Sequence, residues 1–192
     1  MNELAENREA AFTGVALVFD WIGAGIVGAV VIPLAVLAVF LVLRRWWAAL
    51  FWAVAVSLSA GTVEVIKQLY GRARPADILV VSDYGSFPSG HTANAATTAV
   101  VVAVVLWRWW VTALGVLYTL AMALSRTYLG AHWLTDTLGG ILVGVGVSLL
   151  VWGVLAAPLE QQRHDRHERR RRRDAEAALG TGSPSSETPT AR

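Results

Sequence analysis

From Ile26 to Leu43 the chain runs through eighteen residues without one charged side chain. About that length of apolar helix is needed to cross the hydrocarbon of a bilayer, where a backbone must satisfy its own hydrogen bonds. Further apolar runs cover about 46–69, 91–107, 109–125 and 133–156. They are continuous and rich in Leu, Ala and Val, whereas a transmembrane β-barrel requires alternation at period two. Charged residues are 16% of the 192, against roughly 25% in soluble domains. The sequence therefore predicts an all-α, polytopic membrane helical bundle of about five transmembrane helices, the first over 22–43. Residues 1–21 are read as an N-terminal interfacial segment, because Phe12 to Trp21 is apolar but too short to cross before the next run. A transmembrane domain over 22–159 follows, then a basic, largely disordered tail over 160–192, part of which is expected to extend the last helix or form a short one, with the final dozen residues disordered. The start carries Glu3, Glu6, Arg8 and Glu9, not the positive region of a secretory signal, so the first run is expected to be retained.

Charge sets an orientation. Arg44 and Arg45 separate the first two runs, Arg108 separates the third and fourth, and seven arginines crowd Arg163 to Arg173 after the last. With five spans all three places fall on one face, which the positive-inside rule makes cytoplasmic. The joints at 70–90 and 126–132 then share the opposite, extracytoplasmic face. The arginine block reads as a topology anchor touching anionic lipid, and no folded basic domain surrounds it to bind nucleic acid. There is no cysteine, which excludes disulfides and thiolate metal sites.

Three polar clusters lie at the outer joints. In the first, Lys67 precedes Arg74 and Pro75. In the second, Pro88, Ser89, Gly90 and His91 open the third span, where free backbone N–H groups at a helix start and a glycine suit an approaching anion. In the third, Arg126 ends the fourth span, and His132 and Asp136 start the fifth, four residues apart and so on one helix face. That spacing lets the carboxylate accept a proton from one ring nitrogen and leave the other lone pair free to attack.

Three cations, a helix amino terminus and two histidines at one membrane face suit phosphoryl transfer, which depends on in-line placement and charge neutralisation. Lys67, Arg74, Ser89, Gly90 and Arg126 are expected to hold the phosphoryl oxygens. His132, oriented by Asp136, is the expected nucleophile, and His91 the acid and then the base. No cluster offers a carboxylate-rich magnesium site, so no metal or other cofactor is expected.

Lys67-x6-Arg74-Pro75, Pro88-Ser89-Gly90-His91 and Ser125-Arg126-x5-His132-x3-Asp136 together resemble the tripartite signature of the type 2 phosphatidic acid phosphatase superfamily, which also includes vanadium-dependent haloperoxidases and glucose-6-phosphatase. The resemblance implies a multi-pass protein of the plasma (bacterial inner) membrane acting on a lipid phosphate or diphosphate. Undecaprenyl diphosphate is the first expectation, and phosphatidic acid or phosphatidylglycerol phosphate the next. Only Ala76 to Phe87 separate the first two motifs, so the lipid is expected to enter laterally between helices. A non-catalytic lipid-phosphate binder and a vanadate-holding haloperoxidase are the competing readings.

Overall fold

The structure is a computed structural model that describes residues 10–23, 26–81 and 84–180; residues 1–9 of the expected interfacial segment and 181–192 of the expected tail lie outside them. In chain order it comprises α1 (Ala10–Gly23), a π-helical turn (Val27–Val31) continuing into α2 (Ile32–Val42), α3 (Trp46–Tyr70), α4 (Gly90–Leu106), α5 (Trp109–Tyr128) and α6 (Leu134–Gly180). No strand occurs among the described residues. The chain is thus an all-helical membrane bundle. By length and composition two helices can cross a bilayer unaided, Trp46–Tyr70 and the stretch Leu134–Glu176. A third is added if Ala10–Gly23 and Val27–Val42, which meet at 48°, form one bent span. The count of about five is reached only by adding α4 and α5, and α4 is a shorter apolar helix of 17 residues.

The first apolar run is therefore not one helix over 22–43. Gly23 and Gly28 flank the place where the direction changes, and glycine is a poor helix former. Helix α1 packs along α5. Ser125 Oγ donates to the Ala16 carbonyl at 2.9 Å, Thr13 and Tyr128 share a hydroxyl hydrogen bond of 3.1 Å, and the Phe19 and Tyr118 rings lie 6.3 Å apart. The segment read as interfacial thus supplies a helix to the bundle.

Apart from a few large side chains such as Phe51, Trp52 and Met122, the bundle carries small and polar residues inside and many large apolar ones outside. Ala48, Ala49, Ala55, Ser59, Ala93, Ala96, Thr97 and Ser148 are buried, while Leu117, Leu124, Leu142 and Leu150 are exposed. Lipid tails are as apolar as leucine, so helices in a membrane gain most from close backbone approach and interhelical hydrogen bonds. Both occur here. Thr97 Oγ1 donates to Ser59 Oγ at 3.0 Å between α4 and α3, and Trp52 Nε1 donates to the Pro33 carbonyl at 2.9 Å between α3 and α2.

Helices α6 and α4 approach each other closely. A Cβ at Gly140 would strike the Ser89 carbonyl and lie 3.2 Å from both the Ala93 nitrogen and Thr92 Cβ; one at Gly144 would lie 2.8 Å from Ala96 Cβ. Glycine at these positions lets the start of α6 seat against the start of α4, and the Ser89 N–H donates to the Asp136 carbonyl at 2.9 Å across the contact.

One compact unit ends at Leu155 and a second begins at Ala156. Within the tail, α6 continues as helix through Gly180. Asp165 precedes Arg169 by four and Glu168 precedes Arg172 by four, an arrangement that favours exposed helix.

Substituting Gly140→Val should overpack the α4–α6 contact and lower stability by about 1–3 kcal/mol. Gly146→Val on the same helix, where a Cβ meets nothing within 4 Å, should leave the thermal midpoint of the detergent-solubilised protein unchanged.

Candidate active site

Helix α3 ends at Gly71, whose φ of 51° lies in the left-handed region and whose N–H caps the Lys67 carbonyl at 2.9 Å. The turn sends the following connection across the end of the bundle, where it meets the connection between α5 and α6. Leu79 N–H donates to the Leu129 carbonyl at 3.0 Å, and Trp133 Nε1 donates to the Ala73 carbonyl at 3.0 Å. Gly130, at φ 69°, lies so close that a Cβ would be 3.0 Å from the Asp77 carbonyl carbon. The two joints assigned to one face thus pack on each other at one end of the bundle.

Arg74 bridges them. Its Nη1 donates to the Ala131 carbonyl at 2.7 Å, its Nη2 donates to the Gly85 carbonyl at 2.9 Å, and Nη1 stands 3.4 Å from His132 Nε2. Lys67 is buried at the end of α3, and its Cβ lies 3.5 Å from where a Cβ on Gly85 would be. Both residues therefore adjoin Gly85.

The His132 ring is 2% exposed, and its Nδ1 lies 2.7 Å from the Ser86 carbonyl. A carbonyl oxygen only accepts, so Nδ1 carries the proton and the lone pair sits on Nε2, facing Arg74. His132 lies between α5 and α6, outside the spanning helices. Burial, then the charges of Arg126 and Arg74, push its pKa well below the ordinary histidine value. The ring is accordingly neutral with a free lone pair, the form a nucleophile needs.

The expected orienting role of Asp136 needs correction. Asp136 Oδ2 is 3.8 Å from His132 Nδ1, beyond hydrogen-bond distance, and both oxygens are otherwise engaged. Oδ2 accepts the Trp133 N–H at 2.8 Å, the backward reach of a third-position carboxylate capping α6, and Oδ1 accepts from Arg72 Nη1 at 2.6 Å. Direct orientation comes from the Ser86 carbonyl. Asp136, fully buried, adds a negative charge nearby and fixes the start of the helix.

Ser89 caps α4. Its Oγ accepts from Thr92 Oγ1 at 3.1 Å and from the Thr92 N–H at 3.5 Å, which leaves its own hydroxyl proton for another acceptor. Gly90 begins the helix, and His91 lies next to it with 21% of its side chain exposed. Arg126, at the end of α5, is 1% exposed, and its Nη1 donates to Asp20 Oδ1 on α1. Its carbonyl accepts the Ala131 and His132 N–H groups at 3.1 and 3.3 Å.

All eight sequence-derived residues stand at this end of the bundle. Three further participants were not selected. Ser86 acts through a backbone carbonyl, which carries no sequence signal. Arg72 sits in a polar connection where one more arginine does not stand out; it bonds Asp136 and Thr135 and lies 5.7 Å over the Trp133 ring. Asp20 did leave a signal, a lone acid in an apolar run.

The lowered pKa of His132 has a stability consequence. Below about pH 6.5 an unfolded chain protonates this ring while the folded chain does not, so stability present above that pH is lost as pH falls, by up to about 1.4 kcal/mol per unit. The thermal midpoint of the wild type should therefore drop more between pH 7 and 5 than that of His132→Gln. Equal drops would mean that the ring takes up its proton without unfolding.

Residues 46–158, from α3 into α6, match the PAP2 superfamily. An undecaprenyl-diphosphatase of Sulfolobus acidocaldarius is 37% identical over 70 residues, which is 36% of this chain and 32% of that protein. Phosphatidylglycerophosphatase B of Bacillus subtilis is 35% identical over 101 residues, 47% of this chain and 49% of the relative. The matched segments thus span about a third and about half the length of these curated relatives. Among solved structures, Aquifex aeolicus LpxE superposes with a TM-score of 0.68 at 25% identity, covering 78% of this chain and 90% of that one. A transmembrane PAP2-type phosphatidylglycerolphosphate phosphatase from Bacillus subtilis gives 0.67 at 26% identity, covering 80% and 81%. With the family match reaching across more than half of its length, this chain belongs to the PAP2 superfamily.

Proposed function

We propose that the chain is an integral membrane phosphatase that hydrolyses a lipid phosphate or diphosphate through a phosphohistidine at His132. The observation that carries this reading is the His132 ring, with its proton held on Nδ1 by the Ser86 carbonyl and its Nε2 3.4 Å from an arginine nitrogen. In the proposed reaction Nε2 attacks phosphorus in line, the N–P bond forms, and the bond to the lipid oxygen breaks. His91 gives that oxygen a proton. Lys67, Arg74 and Arg126, with Ser89 and the amides at Gly90, neutralise the equatorial oxygens.

The phosphorylated ring is cationic. Its Nδ1–H keeps the Ser86 carbonyl as acceptor, and Asp136 Oδ2 at 3.8 Å lowers the energy of the charge. His91, now a base, takes a proton from water, the oxygen attacks phosphorus, and the N–P bond breaks to release phosphate and neutral His132. Among the described residues no group of three or more His, Asp or Glu could hold a metal ion, and the positive groups above supply the charge neutralisation.

For the substrate we place undecaprenyl diphosphate first and phosphatidylglycerol phosphate or phosphatidic acid next. Names of two relatives, an undecaprenyl-diphosphatase and a phosphatidylglycerophosphatase, support both a diphosphate and a monoester. The site is proposed to open on the extracytoplasmic face of a plasma membrane, with the arginine-rich tail cytoplasmic and in contact with anionic lipid. This follows from the distribution of Arg44, Arg45, Arg108 and the tail arginines.

The test is a phosphate-release panel with the purified protein on undecaprenyl diphosphate, phosphatidic acid, phosphatidylglycerol phosphate and water-soluble diphosphates. Turnover of at least one lipid is expected, undiminished by EDTA, and His132→Ala should lower it by on the order of a thousandfold or more. No release from any lipid, or an active His132→Ala protein, would contradict the reading.

A further inference from the structure

A guanidinium with only 2% of its side chain exposed needs an anion beside it, because an uncompensated buried charge is strongly destabilising. For Arg126 that anion comes from α1: Nη1 donates to Asp20 Oδ1. The same carboxylate oxygen stands 4.0 Å from His91 Nε2. One turn-end later α1 passes the His91 ring closely, since a Cβ on Gly23 would lie 2.9 Å from His91 Cδ2. A single carboxylate therefore faces two groups that the phosphatase reading assigns to the phosphoryl group and its leaving oxygen. Asp20 also lies outside the segment 46–158 that matches the family.

The placement is supported from both sides. Below Asp20, α1 is tied to α5 by the Ser125 to Ala16 hydrogen bond and by the Phe19 and Tyr118 ring contact. On Arg126, Nε is buried with no hydrogen-bond partner among the described residues, so Asp20 holds one edge of the guanidinium while another N–H remains for a ligand oxygen. The carboxylate itself is 20% exposed, at the rim of the buried arginine.

We propose that Asp20 is a positioning residue of this site: the resting counter-anion of Arg126 and His91, which aims the guanidinium and competes with phosphate for it. This rests on the phosphatase reading. In the bound complex the phosphoryl oxygens meet Arg126 from its remaining N–H groups while Asp20 keeps Nη1. Two opposed effects follow from one charge. The carboxylate weakens the hold on the product anion, which helps phosphate leave, and it keeps Arg126 and His91 in place for the transferring group. Asp20 is neither protonated nor consumed in the cycle.

The opposed signs provide the test. Asp20→Asn should bind inorganic phosphate about threefold or more tighter by direct titration of the purified protein, because a like charge beside the anion is gone. Its kcat on the lipid that the wild type turns over fastest should fall by about tenfold or more, since a misplaced arginine removes transition-state stabilisation. Asp20→Glu keeps the charge and should hold phosphate affinity within about twofold of wild type. A merely structural contact would weaken both affinity and kcat along with the thermal midpoint, and that pattern, or unchanged values of both, overturns the proposal. If Asp20→Asn does not fold, Asp20→Ser is the second neutral variant; failure of both with a folded Asp20→Glu assigns the carboxylate to folding alone and also overturns it. A wild type that binds phosphate but hydrolyses no lipid sinks the phosphatase reading, and the affinity comparison then still decides whether Asp20 competes with the anion for Arg126.

Discussion

The hydrogen bond between His132 Nδ1 and the Ser86 carbonyl, 2.7 Å long, joins two connections that are far apart in sequence and buried where they meet. Neither group has water to fall back on, so loss of the bond would leave a buried donor and a buried acceptor unsatisfied, at a cost of about 1–3 kcal/mol each. Its chemical effect is larger than its energy. With the proton fixed on Nδ1, the other nitrogen keeps its lone pair, and Arg74, held to carbonyls of both connections, faces it. The nucleophilic character of the site therefore depends on how two loops pack, and that in turn depends on which helices present them.

The helices present them through close backbone contact. Gly140 and Gly144 bring α6 against α4 so that Ser89 N–H reaches the Asp136 carbonyl, and the second and third motifs become neighbours. Outward leucines and inward alanines, serines and threonines are the arrangement expected when lipid surrounds the bundle. The polar end and the greasy exterior thus have one origin: the membrane excludes irregular backbone except where protein buries it, so the irregular connections gather where they satisfy each other.

Helices α3 to α6 were legible because apolar runs of helical length end at recognisable stops, such as Gly71 after Tyr70 and Ser89 before Gly90. The cluster of basic and imidazole groups was legible for a related reason, since charge is expensive at membrane depth and its exceptions stand out. The Asp136 role was not. Spacing of four residues reports a shared helix face, but it does not report competition, and here the Trp133 N–H and Arg72 take both carboxylate oxygens. Ser86 was invisible because its contribution is a main-chain oxygen that any residue would provide. The bend after α1 was missed where apolar content outweighed glycine placement.

The central claim, that the neutral His132 ring accepts the phosphoryl group, is tested most directly by rapid quench with phosphorus-labelled lipid followed by peptide mapping. The account predicts acid-labile, alkali-stable label on the peptide containing His132, appearing and decaying at rates that match turnover. Label on any other residue, or turnover with no labelled protein at any quench time in a His91→Ala background that slows hydrolysis, would contradict it.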